Sequence, residues 1–427
     1  MQLKRPRRII TSLAAATGAL LGNSRSATLA QDESKRWSFD AAVLYYDEGD
    51  RVKDISANVL VKRLFRRGGQ LVGRLAVDSL TGASASGATP SALPQTFTTP
   101  SGNDSYVTPA GETPLDDTFL DTRAALDVSW VQPVGERSNL EFGVSLSNEY
   151  DYFSSGINSR YSHEFNERNT TLNVGLAFAH DTVDPVGGTP IAFGAMLPPG
   201  DMSNKDGSDS KNVADFVIGV SQVLGERTIG QLNYSFSRSD GYLTDPYKLI
   251  SVVDPVTGAP SPGPAGFDLY RFESRPDQRT KHSLFVQVRH QFRRDILDGS
   301  YRFMTDDWGI RSHTLDLRYR WRRSSFYVEP HARLYTQSGA DFYRTVLFDG
   351  DPIPDNASAD YRLGELNGAT LGLKYGHPFG EGKEWGARVE LYRQSGRAPP
   401  EFNVGALRSF DLFPTVNAVI VQGDFAF

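Results

Sequence analysis

Apolar and polar side chains alternate with a period of two residues along most of this chain. In the first such stretch, Trp37, Phe39 and Val43 share one face, while Asp40 and Tyr46 lie on the other. A period of two indicates extended strands that are apolar on one face only. Almost no stretch of comparable length shows the 3.6-residue period of an amphipathic helix, so the pattern predicts an all-β protein.

Sixteen strands are predicted from this alternation, and any number from fourteen to eighteen is compatible with it. The predicted strands span residues 37–46, 52–65, 69–80, 119–131, 139–152, 157–166, 170–182, 210–223, 228–240, 277–292, 297–306, 311–322, 325–337, 359–375, 384–395 and 414–427. Each is apolar on one side and polar or charged on the other. A soluble sandwich would show the same alternation, so the connections have to decide between the two folds.

The connections differ systematically in length. Links after even-numbered strands are short, as at 66–68, 166–169 and 322–324. Very long links follow several odd-numbered strands and are rich in Gly, Pro, Ser, Asp and Thr; they are 81–118, 183–209, 241–276, 338–358 and 396–413. Short periplasmic turns at one end and long extracellular loops at the other are typical of a transmembrane antiparallel β-barrel of the outer membrane. A sandwich has no reason to segregate its loops in this way.

Aromatic residues and the C-terminus favour the same fold. Aromatic side chains cluster at the ends of the predicted strands, as interfacial girdles require; they include Trp37, Tyr45, Trp130, Tyr150, Tyr152, Phe153, Trp308, Trp321 and Trp385. The last strand places Val419, Val421, Phe425 and Phe427 on one face. A C-terminal aromatic residue on an apolar last strand is the kind of end that the barrel-assembly machinery recognises, so we expect that machinery and outer-membrane lipid as partners.

The N-terminal segment has the features of a secretory signal peptide. Four basic residues between Lys4 and Arg8 precede an apolar stretch over 9–21, and Ala30 ends a small-residue cleavage site. We therefore expect residues 1–30 to be a signal peptide and residues 31–427 to form the barrel in the bacterial outer membrane. The first strand begins about seven residues after this site, which leaves no room for a plug domain, so energised transport is not expected.

Composition and charge exclude several classes of protein. The 427 residues carry a formal net charge of -6, and removal of the five basic residues of the signal peptide changes it to -11. Such an acidic chain is a poor candidate for nucleic-acid binding. It has no cysteine, which excludes disulfides, thiolate metal sites and cysteine nucleophiles. No apolar run of about twenty residues follows the N-terminus, which excludes a polytopic helical membrane protein.

Four segments resemble sequences of a bacterial family known as domain of unknown function 3570. They are 45–51, 78–84, 241–247 and 337–343, and the resemblance covers nearly the whole mature chain. It implies an outer-membrane β-barrel with no assigned activity. It also implies genes for thioredoxin-like lipoproteins and flavin transferases nearby, and therefore a link to a periplasmic or surface redox assembly.

If the apolar faces contact lipid, charged side chains line the lumen on two separate walls. The predicted basic wall consists of Arg318, Arg320, Arg333, Lys374 and Arg388. The predicted acidic wall consists of Glu149, Asp151, Asp181 and Asp215. In a closed sheet of sixteen strands these walls lie roughly opposite each other. The resulting transverse field would order water and filter polar solutes.

A polar cluster is predicted beside the basic wall. It consists of Glu329, His331, Tyr335, Glu390 and Tyr392, with further donors on Tyr327 and Gln394 for a polar or sugar-like ligand. The alternative is structural, because charges two residues apart on one face pair easily across strands and would then fill a polar interior.

Catalysis and metal binding are not expected. The G-x-S-x-G, H-E-x-x-H and P-loop motifs are missing, and the seven histidines show no metal-ligand spacing. Ser312 and His313 at the outer rim are the one conceivable hydrolase pair. Acidic loops around Gly49 and Gly207 offer hard oxygens for Ca²⁺, but neither has the EF-hand spacing. We therefore predict a protein that is not an enzyme and binds no cofactor.

Three functions remain open from the sequence. The leading hypothesis is a passive channel or selective pore for small polar or anionic solutes. The second is a barrel that anchors or sleeves a periplasmic or surface lipoprotein, for instance of a redox assembly. The third is an integral outer-membrane hydrolase. An open constriction would favour the first function and a lumen filled by inserted loops the second, whereas the oligomeric state stays open.

Overall fold

Sixteen antiparallel strands close into one barrel, as the alternation predicted. The structure, a computed structural model, describes residues 37–49, 51–100 and 102–427, so the predicted signal peptide over 1–30 lies outside the described residues. The wall consists of β1 Trp37–Asp47, β2 Val52–Leu64, β3 Gln70–Ala85, β4 Leu115–Val134, β5 Ser138–Asn148, β6 Tyr152–Phe165, β7 Thr170–Val183, β8 Asp209–Gly225, β9 Thr228–Gly241, β10 Gln278–Gln291, β11 Ile296–Asp306, β12 Arg311–Arg322, β13 Tyr327–Gln337, β14 Glu365–Gly380, β15 Lys383–Arg397 and β16 Val416–Ala426. None of the described helices is long and apolar enough to cross a membrane.

The barrel closes where the first and last strands pair. Ala41 of β1 stands opposite Phe425 of β16, and the antiparallel register runs from Asp40 to Asp47 on β1. Phe39 and Phe427 exchange backbone hydrogen bonds of 2.7 and 2.9 Å just beyond this register. Closure leaves no unpaired strand edge, which is the condition for placing a sheet in lipid.

The outer face of the wall is apolar and exposed. Leu371 on β14 is 65% exposed and Leu391 on the neighbouring β15 is 60% exposed, and their counterparts around the barrel are similarly uncovered. An apolar belt of this extent is unfavourable in water but matches the hydrocarbon region of a membrane. Because side chains alternate between the two faces of a strand, the residues next to these leucines in the sequence lie on the inner face.

The aromatic girdle is confirmed at the end with short turns, but two of its predicted members are elsewhere. Trp385 and Phe425 point outward at that end, and Phe425 lies 5.6 Å from Phe379 between ring centroids. Trp308 is only 4% exposed and belongs to a buried cluster of the long-loop end. Tyr152 points inward, where its hydroxyl donates to Asp181. The expectation was wrong for both because position at a strand end does not fix which face a side chain occupies.

Two strand boundaries also differ from the prediction. Residues 149–151 form a three-residue link between β5 and β6, whereas the alternation had suggested one strand up to 152. β14 begins at Glu365, six residues after the predicted start, because Asp360 caps a short 3-10 turn over Tyr361–Leu363. Both differences lie at the long-loop end, where polar turn chemistry overrides the alternation.

The five long loops fold together into what we call the cap, defined as residues 86–114, 184–208, 242–277, 338–364 and 398–415. Small sheets join its segments. Gln95–Thr98 pairs with Ser105–Thr108, Thr189–Pro190 pairs with Lys205–Asp206, and Leu249–Val253 lies between Tyr270–Phe272 and Val346–Phe348. The sequence prediction treated all of these segments as irregular loops. Because the last sheet joins two loops that are distant in sequence, the cap is one folded unit.

Placing a charge on the lipid face should destabilise the barrel. We expect Leu371→Arg to lower the free energy of unfolding by about 2–4 kcal/mol, because a lipid-facing arginine near the middle of the band is poorly solvated. Ile353→Arg is the matched control, since Ile353 is exposed on the cap. Urea titration of the refolded protein in lipid vesicles measures both. Equal midpoints for the two variants would contradict the assignment of the lipid face.

Candidate functional site

The five residues of the predicted basic wall all point into the lumen, but four of them have carboxylate partners. The ion pairs join Arg318 Nε to Asp316 Oδ1 at 3.3 Å, Arg320 Nε to Glu329 Oε2 at 2.6 Å, Lys374 Nζ to Asp424 Oδ2 at 2.8 Å, and Arg388 Nη1 to Glu390 Oε1 at 3.4 Å. These pairs lie on the same or nearby strands. The paired interior that the sequence left open as an alternative therefore describes most of this wall.

His331 is the centre of the predicted polar cluster. Its Nε2 lies 2.9 Å from Asp316 Oδ2 and its Nδ1 lies 2.8 Å from Glu390 Oε1. Glu329 forms an ion pair with Arg320 and a second one, at 3.7 Å, with Arg388 Nη2. The structure therefore brings together the three charged members of the cluster on β13 and β15, with β14 between them.

A glycine on β14 allows that contact across a whole strand. Gly372 stands in register between His331 on β13 and Glu390 on β15. A Cβ atom at Gly372 would lie 2.7 Å from Glu390 Cγ, so any other residue would displace the carboxylate. Gly376 acts in the same way one row away, where the Tyr327 ring crosses β14 and its hydroxyl donates to Glu384 Oε1 at 2.5 Å.

Arg333 differs from the other residues of the basic wall. It is exposed to the lumen and makes no ion pair or hydrogen bond within residues 37–49, 51–100 and 102–427. Asp316 stands opposite Arg333 in the register, but its carboxylate contacts His331 and Arg318 instead. A guanidinium without a partner is therefore available to solutes in the lumen.

Arg302 on β11 is a second lumen cation, which the sequence prediction missed. Its guanidinium carbon lies 5.3 Å from the ring centroid of Phe285, and it too has no ion pair among the described residues. In the register, Arg302 stands opposite Thr314, which stands opposite Tyr335. Tyr335 is two residues from Arg333 on β13, so the two arginines face each other diagonally. The alternation in the sequence would have placed Arg302 in the lumen, because Arg302 follows the outward Tyr301 on the predicted strand 297–306.

Tyr335 lies on the cap side of Arg333, and Tyr392 stands in the register row of Arg333 beyond Thr370. Their hydroxyls donate to Gln337 Oε1 at 2.6 Å and to Gln394 Oε1 at 2.8 Å. The side-chain amide nitrogen of Gln394 is buried and has no hydrogen-bond partner in the described part of the chain. The two tyrosines, the amide and Arg333 therefore line one stretch of the inner wall, which we call the lumen site together with Arg302.

Three residues of the predicted acidic wall are buried, namely Asp151, Asp181 and Asp215. Asp151 and Glu149 lie in the link between β5 and β6, and Asp151 accepts the hydroxyl hydrogen of Tyr247 from the cap. Lys211 Nζ lies 3.6 Å from Asp181 Oδ2. Asp151 therefore contacts the cap, and the effect of the four carboxylates on solutes in the lumen stays a prediction.

The cap covers the long-loop mouth with a hydrophobic core of its own. Met304 and Tyr335, which point inward from β11 and β13, pack against its first cluster. The Gln337 amide donates to the carbonyl oxygens of Arg362 and Gly364 at 2.9 and 2.8 Å. The buried clusters are centred on Trp308, Phe342 and Phe413; on Phe97, Met196 and Tyr270; on Phe193, Ile250 and Val252; and on Val253, Val346 and Leu407.

Six charged side chains are gathered inside the cap, and their formal charges sum to zero. They are Asp245, Lys248, Glu273, Arg275, Asp360 and Arg362. Arg275 Nη2 donates to Asp360 Oδ2 at 3.0 Å, and Arg362 Nη2 lies 2.5 Å from the same oxygen. This ion cluster joins the loop 242–277 to the loop 338–364.

Burial and pairing act in opposite directions on the pKa values of the ion cluster. Burial alone would raise the pKa of Asp360, but Arg362 and Arg275 lower it far below its usual range. For Glu273, burial raises the pKa and Arg275 offsets this only in part. Burial likewise lowers the pKa of Lys248 despite Asp245. Asp360 is therefore the carboxylate whose ionised form contributes most to holding the two loops together.

Comparison with known sequences identifies the family. The sequence profile described as "Protein of unknown function (DUF3570)" matches residues 10–427. The chain belongs to this family. The resemblance seen in the sequence is thereby confirmed. No curated protein matches the DUF3570 chain.

Solved structures similar to the DUF3570 chain are barrels of the outer membrane. One is described as a bacterial polysaccharide outer membrane secretin, with 9% identity, a TM-score of 0.45, and coverage of 92% of this chain and 97% of that one. CdiB from Acinetobacter baumannii has 9% identity, a TM-score of 0.44, and coverage of 92% and 60%. The ferric enterobactin receptor of Pseudomonas aeruginosa (PfeA) in complex with enterobactin has 9% identity, a TM-score of 0.43, and coverage of 84% and 54%. At these values the likeness is one of fold only.

Neither the hydrolase pair nor a metal site is assembled in the DUF3570 chain. Ser312 points inward and is 4% exposed, whereas His313 points outward, so the two side chains lie on opposite faces of the wall. No group of three or more His, Asp or Glu side chains with metal-binding geometry occurs within the described residues, and Asp50 of one acidic loop lies outside them.

Filling the crossing point on β14 should separate His331 from Glu390. We expect Gly372→Ala to lower the free energy of unfolding by about 1–3 kcal/mol, because the added methyl group overlaps Glu390. Gly423→Ala on β16 is the matched control, since nothing lies within 4 Å of its added Cβ. Thermal unfolding in detergent measures both variants. A loss in Gly423→Ala as large as that in Gly372→Ala would contradict the close approach.

Neutralising the central carboxylate should loosen the cap and leave the wall intact. We expect Asp360→Asn to destabilise the cap by roughly 3–5 kcal/mol, because it leaves Arg275 and Arg362 without their shared partner. Since the pKa of Asp360 is lowered on folding, its contribution is present at neutral pH and is lost as the pH falls below the usual carboxyl range. Limited proteolysis of the cap loops measures the change. Asp351→Asn, on an exposed position of the same loop, is the control, and equal protection of both variants would contradict the role of Asp360.

Proposed function

We propose that the chain is a selective outer-membrane pore for small polar or anionic solutes, with its extracellular mouth closed by the cap in the state described here. One observation carries this proposal. Arg333 is exposed to the lumen and has no ion pair or hydrogen bond among the described residues, in a wall where the neighbouring cations are paired. An unpaired guanidinium facing a narrow aqueous space attracts anions.

The other residues of the lumen site complement Arg333. Arg302 adds a second charge that has no ion pair in the described part of the chain, and Tyr335 and Tyr392 present hydroxyl groups near Arg333. The free amide hydrogens of Gln394 offer a further donor. This combination suits a small solute that carries an anionic group and several hydroxyl or carbonyl oxygens.

Net charge does not account for an anion preference. The whole chain carries a formal charge of -6, so its overall field repels anions. Any selectivity for anions must therefore come from local charges in the lumen. Arg333 and Arg302 are two local positive charges that have no ion pair among the described residues.

Passage through the barrel requires the cap to move. A barrel of sixteen strands is wide enough for an aqueous channel, but here the cap packs on the inward faces of Met304 and Tyr335. The ion cluster around Asp360 holds the cap loops 242–277 and 338–364 together. We therefore propose that the cap acts as the gate and that the lumen site acts as the selectivity element behind it.

The folded cap also favours a second function. A barrel that is closed on the outside can anchor or sleeve a lipoprotein partner from the periplasmic side, where the connections are short. The link to a redox assembly rests on the family resemblance alone. The anchoring function requires no passage of ions, so conductance measurements distinguish it from the pore. An enzymatic function is not proposed.

The pore and its selectivity can be tested together in planar lipid bilayers. We expect low conductance for the refolded protein and higher conductance for Asp360→Asn. In that background, Arg333→Ala should lower the ratio of anion to cation permeability roughly five-fold, which corresponds to about 1 kcal/mol for one charge near the ion path. Reversal potentials in a salt gradient measure the ratio.

Arg238→Ala is the matched control, because Arg238 is exposed on the outer face and its removal changes the net charge equally. An unchanged ratio in Arg333→Ala would overturn the lumen site as the selectivity element. Absence of conductance from a folded barrel with a loosened cap would overturn the pore and favour the anchoring function.

A further inference from the structure

A groove lies on the lipid-facing surface of the barrel, between β11 and β15 and near the cap. Its volume is about 390 Å³. The residues that matter for its chemistry are Tyr301, His313, Leu334, Asn367, Ala369 and Arg393. The small side chain of Ala369 leaves a depression between larger side chains on the adjacent strands. It is separate from the lumen and therefore independent of the proposed pore.

Arg393 on β15 is the unusual residue of this groove. The outward side chains below it on the same strand are Val389 and Leu391, which are 50% and 60% exposed. Arg393 follows the same alternation, is exposed, and has no ion pair or hydrogen bond in the part of the chain that the structure describes. Its direct neighbours across the sheet are Ala369 on β14 and Asn417 on β16, and Leu334 stands beyond Ala369 in the same register row. A cation on a face that contacts lipid requires an anion or polar headgroup from the membrane itself.

The depth of Arg393 places it at a headgroup boundary. Trp385 lies in the aromatic girdle of the same strand, eight residues below Arg393. With about 3.3 Å per residue and a tilt of about 40°, this separation spans roughly 20 Å of the apolar band, which is about 25 Å tall. His313 and Trp321 are separated by the same number of residues on β12. The side chains of Arg393 and His313 therefore both lie at the cap-side edge of the apolar band.

His313 is held in place beside the groove. The Tyr301 hydroxyl lies 2.6 Å from its Nδ1, and the ring of Phe303 lies 5.2 Å away between centroids. In the register, His313 continues into Thr336, Asn367 and Ser395, a polar row across four strands. The row directly below it contains Leu315, Leu334 and Ala369. The groove is thus polar on the cap side and apolar on the membrane side.

We propose that this groove binds one anionic lipid of the outer leaflet, with its phosphate at Arg393 and His313 and an acyl chain along Leu334 and Ala369. Charge complementarity favours an anionic over a zwitterionic lipid. The nearest outward carboxylate in the register is Glu365, which stands opposite Arg397 and not opposite Arg393. Arg393 stands at the β15 end of the row that holds Leu334 and Ala369, and His313 stands in the adjacent polar row on the cap side. The orientation follows from the long loops lying outside the cell, as in outer-membrane barrels.

Native mass spectrometry of the refolded mature protein in detergent micelles tests the proposal. The probes are phosphatidylglycerol and phosphatidylcholine with identical acyl chains. We expect one phosphatidylglycerol to be retained at least about five-fold more than phosphatidylcholine, and Arg393→Gln to remove this preference. Arg238→Gln is the control, because Arg238 is also outward and exposed but has Asp240 at 3.7 Å. Heat-modifiable gel mobility verifies that each variant is folded.

A second variant tests the apolar half of the groove. Ala369→Trp fills the depression and leaves Arg393 in place, so we expect it to lower phosphatidylglycerol retention by a similar factor. Equal retention of the two lipids, or retention that survives in Arg393→Gln, would overturn the proposal. Competition by inorganic phosphate that abolishes lipid binding, with no effect of Ala369→Trp, would overturn it in favour of a simple anion site. A dimer that is lost in both variants would identify the groove as an interface between copies of the chain and would also overturn the proposal.

Discussion

Closure of the sheet between β1 and β16 is the interaction on which the rest of the structure depends. In hydrocarbon a free strand edge would leave backbone N–H and C=O groups without partners, and no side chain could compensate for the whole row. The register from Asp40 to Asp47 satisfies that row. A shift of this register by one residue would place an inward side chain of β1 beside an outward side chain of β16, because side chains alternate along each strand. The closed wall that this pairing completes separates the lumen from the lipid belt.

The interior is organised by short-range pairing and not by two opposing fields. Arg318, Arg320, Lys374 and Arg388 have their carboxylates on the same or nearby strands, and Gly386 on β15 leaves space for the contact between Lys374 and Asp424. In a low-dielectric wall a charge is retained at lower cost when its partner lies within a few ångströms. Arg302 and Arg333 are informative because they depart from this arrangement. The same reasoning applies on the outside, where Arg393 lacks a partner in an apolar row.

The strand pattern could be predicted from the sequence because membrane strands obey one strict rule, apolar residues toward lipid. The side chains of the lumen site followed from the same parity. What could not be predicted was which charges would be paired, since Glu390 reaches His331 only because Gly372 leaves space on the strand between them. The folded structure of the cap could not be predicted from the sequence either. Its strand Leu249–Val253 is buried on both faces and has no alternation, and its partner Val346–Phe348 lies almost a hundred residues away. Loop composition alone gives no information on such a pairing.

The distance between these cap segments in the sequence has a consequence for how the protein assembles. Bringing residues 249–253 and 346–348 together in a free chain costs substantial loop-closure entropy, whereas a closed wall already holds the bases of both loops at one rim. The wall is therefore the template on which the cap folds, and the order of events is barrel first and cap second. Between the two events the mouth is open and the apolar clusters around Trp308, Tyr270, Ile250 and Val346 are uncovered. That interval is when the newly inserted protein is most exposed to aggregation.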